Sequence, residues 1–144
     1  MKIELRRLNK AVHFECRNED GLTVQTDGSP DVGGEGKGVR PMQMLLMSLA
    51  ACSSIDVVHL LTKMRQAPDD IRVEVSGDRV AGEIPGVFRK IHLTYFITGA
   101  LKTENVEKAI GMSVEKYCSV AAMLSSTADI TWSLQLINPP SHEI

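Results

Sequence analysis

Pro41-Met42-Gln43-Met44-Leu45-Leu46-Met47-Ser48-Leu49-Ala50-Ala51-Cys52-Ser53-Ser54-Ile55-Asp56-Val57-Val58-His59-Leu60-Leu61-Thr62-Lys63-Met64-Arg65 decides the fold. Proline at the first position, Pro68 just past the end and no breaker between them predict one helix from Pro41 to about Arg65. About 25 residues at 1.5 Å each span roughly 37 Å, close to the full width expected of a domain of this chain length. Leu46, Met47, Ala50, Val57, Val58, Leu61 and Met64 make its back apolar, and Leu45, Leu49, Ile55 and Leu60 carry that character further round. A helix apolar on most sides must be surrounded. A membrane span is the other environment for such a helix, but Gln43, Ser48, Ser53, Ser54, Asp56 and His59 interrupt it. Asp alone costs about 3 kcal/mol at a bilayer centre. The expectation is a core helix that one small domain cannot cover, with a second copy of the chain supplying the rest in a homodimer.

On either side of this helix the periodicity changes to two. Upstream, Ile3 and Leu5, then Val12, Phe14 and Cys16, then Leu22 and Val24 predict a three-strand meander, turned at Asn18-Glu19-Asp20-Gly21. Downstream, Ile71-Val73-Val75 and Ile91-Leu93-Tyr95-Ile97 predict a hairpin around a loop at residues 81–86. A second helix is expected from a Thr103 cap, with Glu104 and Glu107 in its first turns, to about Leu124. A last strand at Ile130-Trp132-Leu134-Leu136 comes next, ended by Pro139-Pro140. The order βββ-α-ββ-α-β, without internal repeat, predicts a single α+β domain over residues 1–144.

The chain has 144 residues, 43% of them hydrophobic and 24% charged, and a net charge of −2. That composition belongs to a folded globular protein, and the charge gives no electrostatic basis for binding nucleic acid or an anionic membrane. The amino terminus alternates charged and apolar residues and lacks a signal-peptide core, and three cysteines make an odd set; a cytoplasmic protein without a disulfide framework is expected. Residues 27–38 read as a flexible or site-covering loop. Gly36-Lys37 is followed by Gly38 and preceded five residues earlier by Asp31, so the phosphate-loop pattern fails at both ends.

Chemistry concentrates on two cysteines. At 100° per residue the helix face centred on Cys52 also carries Ser48, Asp56, His59 and Lys63, a polar stripe on an apolar helix. Around Cys118 the corresponding face of the second helix carries Gly111, Val114, Ala121, Ala122 and Ser125, small residues that permit close approach of another helix. The two thiols can meet across a helix crossing, and equally each can be a buried, inert cysteine.

The segment Pro41 to Cys52 with Ser53-Ser54-Ile55-Asp56-Val57, together with Glu115-Lys116-Tyr117-Cys118-Ser119-Val120, resembles the two cysteine-bearing segments of the OsmC/Ohr family, within it the uncharacterised OsmC-like branch. Spacing and element order match over nearly the whole chain. The resemblance implies an α+β fold built as an intertwined homodimer, long helices central and sheets outside. It implies thiol-dependent reduction of organic hydroperoxides, in protection against oxidative or osmotic stress, with Cys52 as the peroxidatic thiolate and Cys118 as the resolving thiol. An external dithiol, such as a lipoylated protein, would re-reduce the pair, and no cofactor or metal is required. In the peroxidase branch an Arg from the meander activates the first cysteine and is oriented by a Glu directly after the helix-starting Pro. Here that position is Met42, which predicts weak turnover, and the Arg partner is left open among Arg6, Arg7 and Arg17, with Lys10 as another cation.

Other candidates have plainer readings. Cys16, on a strand with Val12 and Phe14, reads as packed or half-exposed. Asp56 needs a salt-bridge or hydrogen-bond partner inside an apolar helix. His59, Lys63 and Glu115 read as solvated, and Cys52, Cys118, His59 and Asp56 together match no closed structural zinc spacing. Two non-enzymatic roles compete with the peroxidase: an apolar ligand held at the dimer interface by Met42, Leu45, Leu49 and Phe residues, and a family scaffold with inert thiols.

Overall fold

The structure, a computed structural model, describes residues 1–138 and divides into two compact units, residues 1–45 and residue 46 onward. Pro139-Pro140, expected to end the last strand, lies outside the described residues.

In the first unit β1 (Ile3–Arg7), β2 (Phe14–Asn18) and β3 (Thr23–Thr26) form the expected antiparallel meander, with Leu5 opposite Cys16 and Cys16 opposite Val24. The turn closes as its residues require. Asn18 Oδ1 accepts the Leu22 N–H at 2.8 Å, and Gly21 takes φ +83°, a conformation that side chains disfavour. Opposite charges pair across β1 and β2, where Arg6 Nε donates to Glu15 Oε1 at 3.0 Å. Ile3, Leu5, Leu22 and Val24 are all exposed.

Composition predicts a flexible or site-covering loop after β3, and the structure shows its backbone wrapped around one carboxylate. The buried Asp27 carboxylate accepts three backbone N–H groups: Gly28 at 2.8 Å, Glu35 at 3.0 Å and Lys37 at 3.1 Å. The Lys37 bond is the largest of the influences that hold this carboxyl below the usual carboxylate range, against the opposing effect of burial. The loop folds back so tightly that a Cβ on Gly34 would lie 1.7 Å from the Gly28 carbonyl oxygen.

The long helix α1 runs Pro41–Lys63. At its start Gln43 Oε1 accepts the Arg40 N–H at 2.9 Å, half of a capping box. At its end Arg65 adopts φ +59°, with Gln66 N bonded to the Leu61 carbonyl and Arg65 N to the Thr62 carbonyl. This is a Schellman stop with arginine where glycine is usual.

In the second unit β4 (Asp70–Arg79) pairs antiparallel with β5 (Phe88–Thr98), and β6 (Asp129–Ile137) lies parallel on the other edge of β5. A parallel neighbour needs a crossover. The predicted second helix supplies it, but in pieces: α2 (Thr103–Met112), a π-helical turn (Ser113–Tyr117) and α3 (Ser119–Leu124). Lys102 rather than Thr103 occupies the cap of α2, without a side-chain bond. Ile91, Leu93, Tyr95 and Ile97 alternate into the core from β5, with Val106, Ala109 and Ile110 of α2.

On α1 the buried residues are Leu49, Ser53, Val57 and Leu61, a stripe at intervals of four. Each of its aliphatic members contributes roughly 1.5–3 kcal/mol by burial. Met47 is 53% exposed and Ile55 70%, so the chain covers one side of this helix and not the others. By length and composition α1 could span a membrane. Its buried Ser53 is instead hydrogen-bonded by the Tyr95 hydroxyl of β5, at 2.8 Å.

Asp27→Asn keeps the side-chain volume but removes the charge that gathers the loop. Amide exchange at Glu35 and Lys37 is expected to speed up by about tenfold. Because the folded-state pKa is lowered, the stabilisation is present above the ordinary carboxylate pKa and is lost as pH falls through the lowered value. The loop amides of the wild type should therefore lose protection on acidification, whereas those of Asp27→Asn should not respond. Unchanged exchange in the variant would contradict the role given to this carboxylate.

Candidate functional site

Cys52 sits in the middle of α1, half-buried, with Asp56 one turn further along the same face. Cys118 is fully buried at the join between the π-helical turn and α3. The two sulfurs and an Asp56 carboxylate oxygen lie within 4.8 Å of one another. The sequence-predicted pair is thus brought together in the second unit, with a carboxylate beside it.

The reason lies in the break of the second helix. The structure corrects the expected continuous helix from Thr103, but of the small-residue face expected around Cys118 (Gly111, Val114, Ala121, Ala122 and Ser125) it keeps Ala121 bonded to the Cys118 sulfur and Val114, Ala122 and Ser125 in one cleft with it. The Cys118 N–H bonds the Ser113 carbonyl five residues back at 2.8 Å, and the residue then turns to an extended φ of −69° and ψ of 106°. It becomes the cap of α3, its sulfur accepting the Ala121 N–H at 3.3 Å. A π turn inserts an extra residue into the helical repeat and re-aims the residues beyond it.

Ser113, which opens that turn, carries no mark of a site residue in the sequence, yet it fixes the geometry. Its buried hydroxyl lies 3.1 Å from the Ser53 carbonyl and 3.1 Å from Asp56 Oδ2, so one O–H serves two acceptors. Asp56 thereby gains the hydrogen-bond partner that its place in an apolar helix requires. Next to this knot the Tyr95 hydroxyl donates to Ser53 Oγ. Burial is the main reason the Tyr95 phenol is pushed up to about 12, so it remains a donor. A serine in a helical pattern and a tyrosine at an inward strand position give no separate signal in sequence.

Cys118 and Cys52 differ in environment. Burial, more than any other cause, pushes the Cys118 thiol up to about 11; the Ala121 N–H opposes this and the Cys52 thiol adds to it. Cys118 is therefore held as a thiol at neutral pH, whereas the half-buried Cys52 is the more accessible sulfur. Cys118 also lines an open cleft of about 470 Å³ with Val114, Ala122 and Ile130.

The remaining candidates fall elsewhere. His59, Lys63 and Glu115 are exposed, and among the described residues the donor cluster contains Cys52, Asp56 and Cys118 without His59. Cys16 is half-buried on β2 of the other unit. Of the cations considered as activators, Arg6 is engaged with Glu15.

Residues 34–133 match the family model of the OsmC-like proteins. Protein YhfA of Escherichia coli K12 is 42% identical over 102 residues, covering 70% of this chain and 75% of that protein. Among solved structures, a hypothetical protein from Aquifex aeolicus VF5 is 32% identical with a TM-score of 0.77, over 94% of this chain and 96% of that one. An OsmC-like protein from Mycoplasma pneumoniae shares the fold at 20% identity and a TM-score of 0.79, with 94% and 96% covered. An organic hydroperoxide resistance protein OsmC from Legionella pneumophila does so at 19% identity and 0.71, with 94% and 97% covered. Matched by the family model over most of its length and by a curated relative well above 30% identity, with the order βββ-α-ββ-α-β and the two cysteines on the segments that suggested it, the chain belongs to the OsmC-like protein family.

Proposed function

We propose that this protein reduces organic hydroperoxides with Cys52 and Cys118 as a redox pair, working as a homodimer in defence against peroxide stress. The observation that carries the reading is the pair itself: two thiols within 4.8 Å, one half-buried and one buried. Fold relatives described as organic hydroperoxide resistance proteins, from Legionella pneumophila and Bacillus subtilis, agree with it.

Cys52, as thiolate, attacks the terminal peroxide oxygen. An S–O bond forms and the O–O bond breaks, leaving a sulfenic acid and an alkoxide that leaves as the alcohol once protonated. Asp56, whose carboxylate oxygen stands within 4.8 Å of both sulfurs, relays the Cys52 proton to the departing alkoxide in the course of the attack. Cys118 then attacks the sulfenic sulfur; the S–S bond forms, and the departing hydroxide leaves as water with the Cys118 proton. In doing so Cys118 gives up its bond from the Ala121 N–H. An external dithiol reduces the disulfide by exchange, so two electrons pass from dithiol to peroxide. Met42 stands where the peroxidase branch places the Glu that orients an activating Arg, so turnover is slower than with that clamp.

The homodimer rests on the apolar residues the chain leaves uncovered: Met47, Ile55 and Val58 on α1, and Ile3, Leu5, Leu22 and Val24 on the meander. Exposed apolar groups in that number are the mark of an interface between copies.

Cys52→Ser is expected to abolish hydroperoxide consumption. Cys118→Ser still reacts once, but accumulates a sulfenic acid that a sulfenate-specific nucleophile traps; no adduct at Cys52 in that variant, or consumption by Cys52→Ser, would contradict the roles. Conversion of sulfenic acid to disulfide should quicken as pH is raised from neutrality toward about 11, because more Cys118 becomes thiolate. A rate independent of pH would mean that deprotonation of Cys118 does not limit this step. Sedimentation at micromolar concentration should show a dimer, and a stable folded monomer would remove that part of the reading.

A further inference from the structure

We propose that Cys52, Asp56 and Cys118 form a binding site for a thiophilic divalent cation of the zinc class, which holds both thiols in reduced, unreactive form. The proposal goes beyond the peroxidase reading and does not depend on it.

The donor set is two sulfurs and a carboxylate oxygen, all within 4.8 Å of one another. Zinc binds thiolate at about 2.3 Å and carboxylate oxygen at about 2.0–2.2 Å, so donors at a tetrahedral ion stand roughly 3.6–3.8 Å apart, about 1 Å closer than the limit of this cluster. The cluster is therefore near coordinating size already. Rotations of Cys52 and Asp56, which share one face of α1, close the remainder, and the Cys118 sulfur needs only to swing from the cap of α3. The Ser113 hydroxyl, 3.1 Å from Asp56 Oδ2, holds the carboxylate as outer hydrogen-bond partners hold metal-binding carboxylates.

Ligand chemistry sets the class of cation. Two thiolates favour zinc, cadmium or copper(I) over magnesium or calcium, which prefer all-oxygen shells. The number of ligands sets the role. Among the described residues three donors converge and His59 is exposed, so the fourth position belongs to water. Such a site is open and exchangeable, unlike the closed four-ligand sites that hold a fold together. An ion here occupies the sulfur lone pairs that would otherwise attack an oxidant, and it shields the thiols from irreversible oxidation until it is removed.

Cadmium serves as the probe, because its thiolate complexes show an ultraviolet charge-transfer band, and zinc serves in competition. Reduced protein in the absence of hydroperoxide is expected to bind one cadmium per chain, with the band lost in Cys52→Ser and in Cys118→Ser and retained in Cys16→Ser. Zinc in large excess should displace cadmium, and zinc alone should block alkylation of Cys52 and Cys118. Asp56→Asn, which keeps both thiols and the side-chain volume, should weaken binding by about ten- to a hundredfold, while His59→Ala leaves it unchanged. Circular dichroism of each variant establishes that it is folded, and disulfide-oxidised wild type should bind no cadmium. A band that survives in folded Cys52→Ser or Cys118→Ser, or equal affinity in Asp56→Asn, would overturn the three-donor site. These readouts need no peroxidase activity, so a protein that binds cadmium but leaves hydroperoxide untouched would sink the enzymatic reading alone.

Discussion

The Ser113 hydroxyl, buried between the Ser53 carbonyl and the Asp56 carboxylate, ties the start of the π-helical turn to the middle of α1. Both cysteines take their positions from that tie. Cys52 is the neighbour of Ser53 on α1, and Cys118 is bonded through its N–H to the carbonyl of Ser113 itself. One polar contact in an apolar setting is strong because leaving any member unpaired costs about 1–3 kcal/mol. Tyr95 extends the constraint to β5 through Ser53. A helix, a helical turn and the central strand are thereby held in register around two thiols and a carboxyl.

The rest of the second unit serves this arrangement. β5 alternates Ile91, Leu93, Tyr95 and Ile97 into the core, α1 buries the stripe Leu49, Ser53, Val57 and Leu61, and the Tyr95 hydroxyl joins the two elements at Ser53. The single polar member of that stripe is the residue that the knot requires. The break after the π turn lets Cys118 cap α3 instead of continuing a helix, so its sulfur is held by Ala121 while remaining beside Cys52. Burial keeps Cys118 protonated, and in the reaction proposed above the half-buried Cys52 would meet the oxidant first and the buried Cys118 would react second.

Much of this was legible in the residues. Length, proline placement and apolar character announce α1, alternation announces each strand, and the polar stripe of Cys52 and Asp56 marks the site face. Three features were hidden, each for a physical reason. A π turn needs no proline or glycine, and Gly111 to Ser125 keeps a plausible helical repeat straight through it. The Asp27 loop reads as flexible because glycine-rich composition fits mobile and tightly wrapped chains equally, and only tertiary structure shows three N–H groups converging on one carboxylate. The Schellman stop at Arg65 uses a residue that bears the left-handed strain glycine avoids.

The central claim is that Cys52 and Cys118 are one redox unit, and intact mass with peptide mapping after one equivalent of an organic hydroperoxide tests it most directly. The account predicts a protein lighter by two hydrogens, a single cross-linked peptide pair joining Cys52 to Cys118, and Cys16 still open to alkylation. A disulfide that includes Cys16, or a protein oxidised only to sulfinic acid with no cross-link, would contradict it.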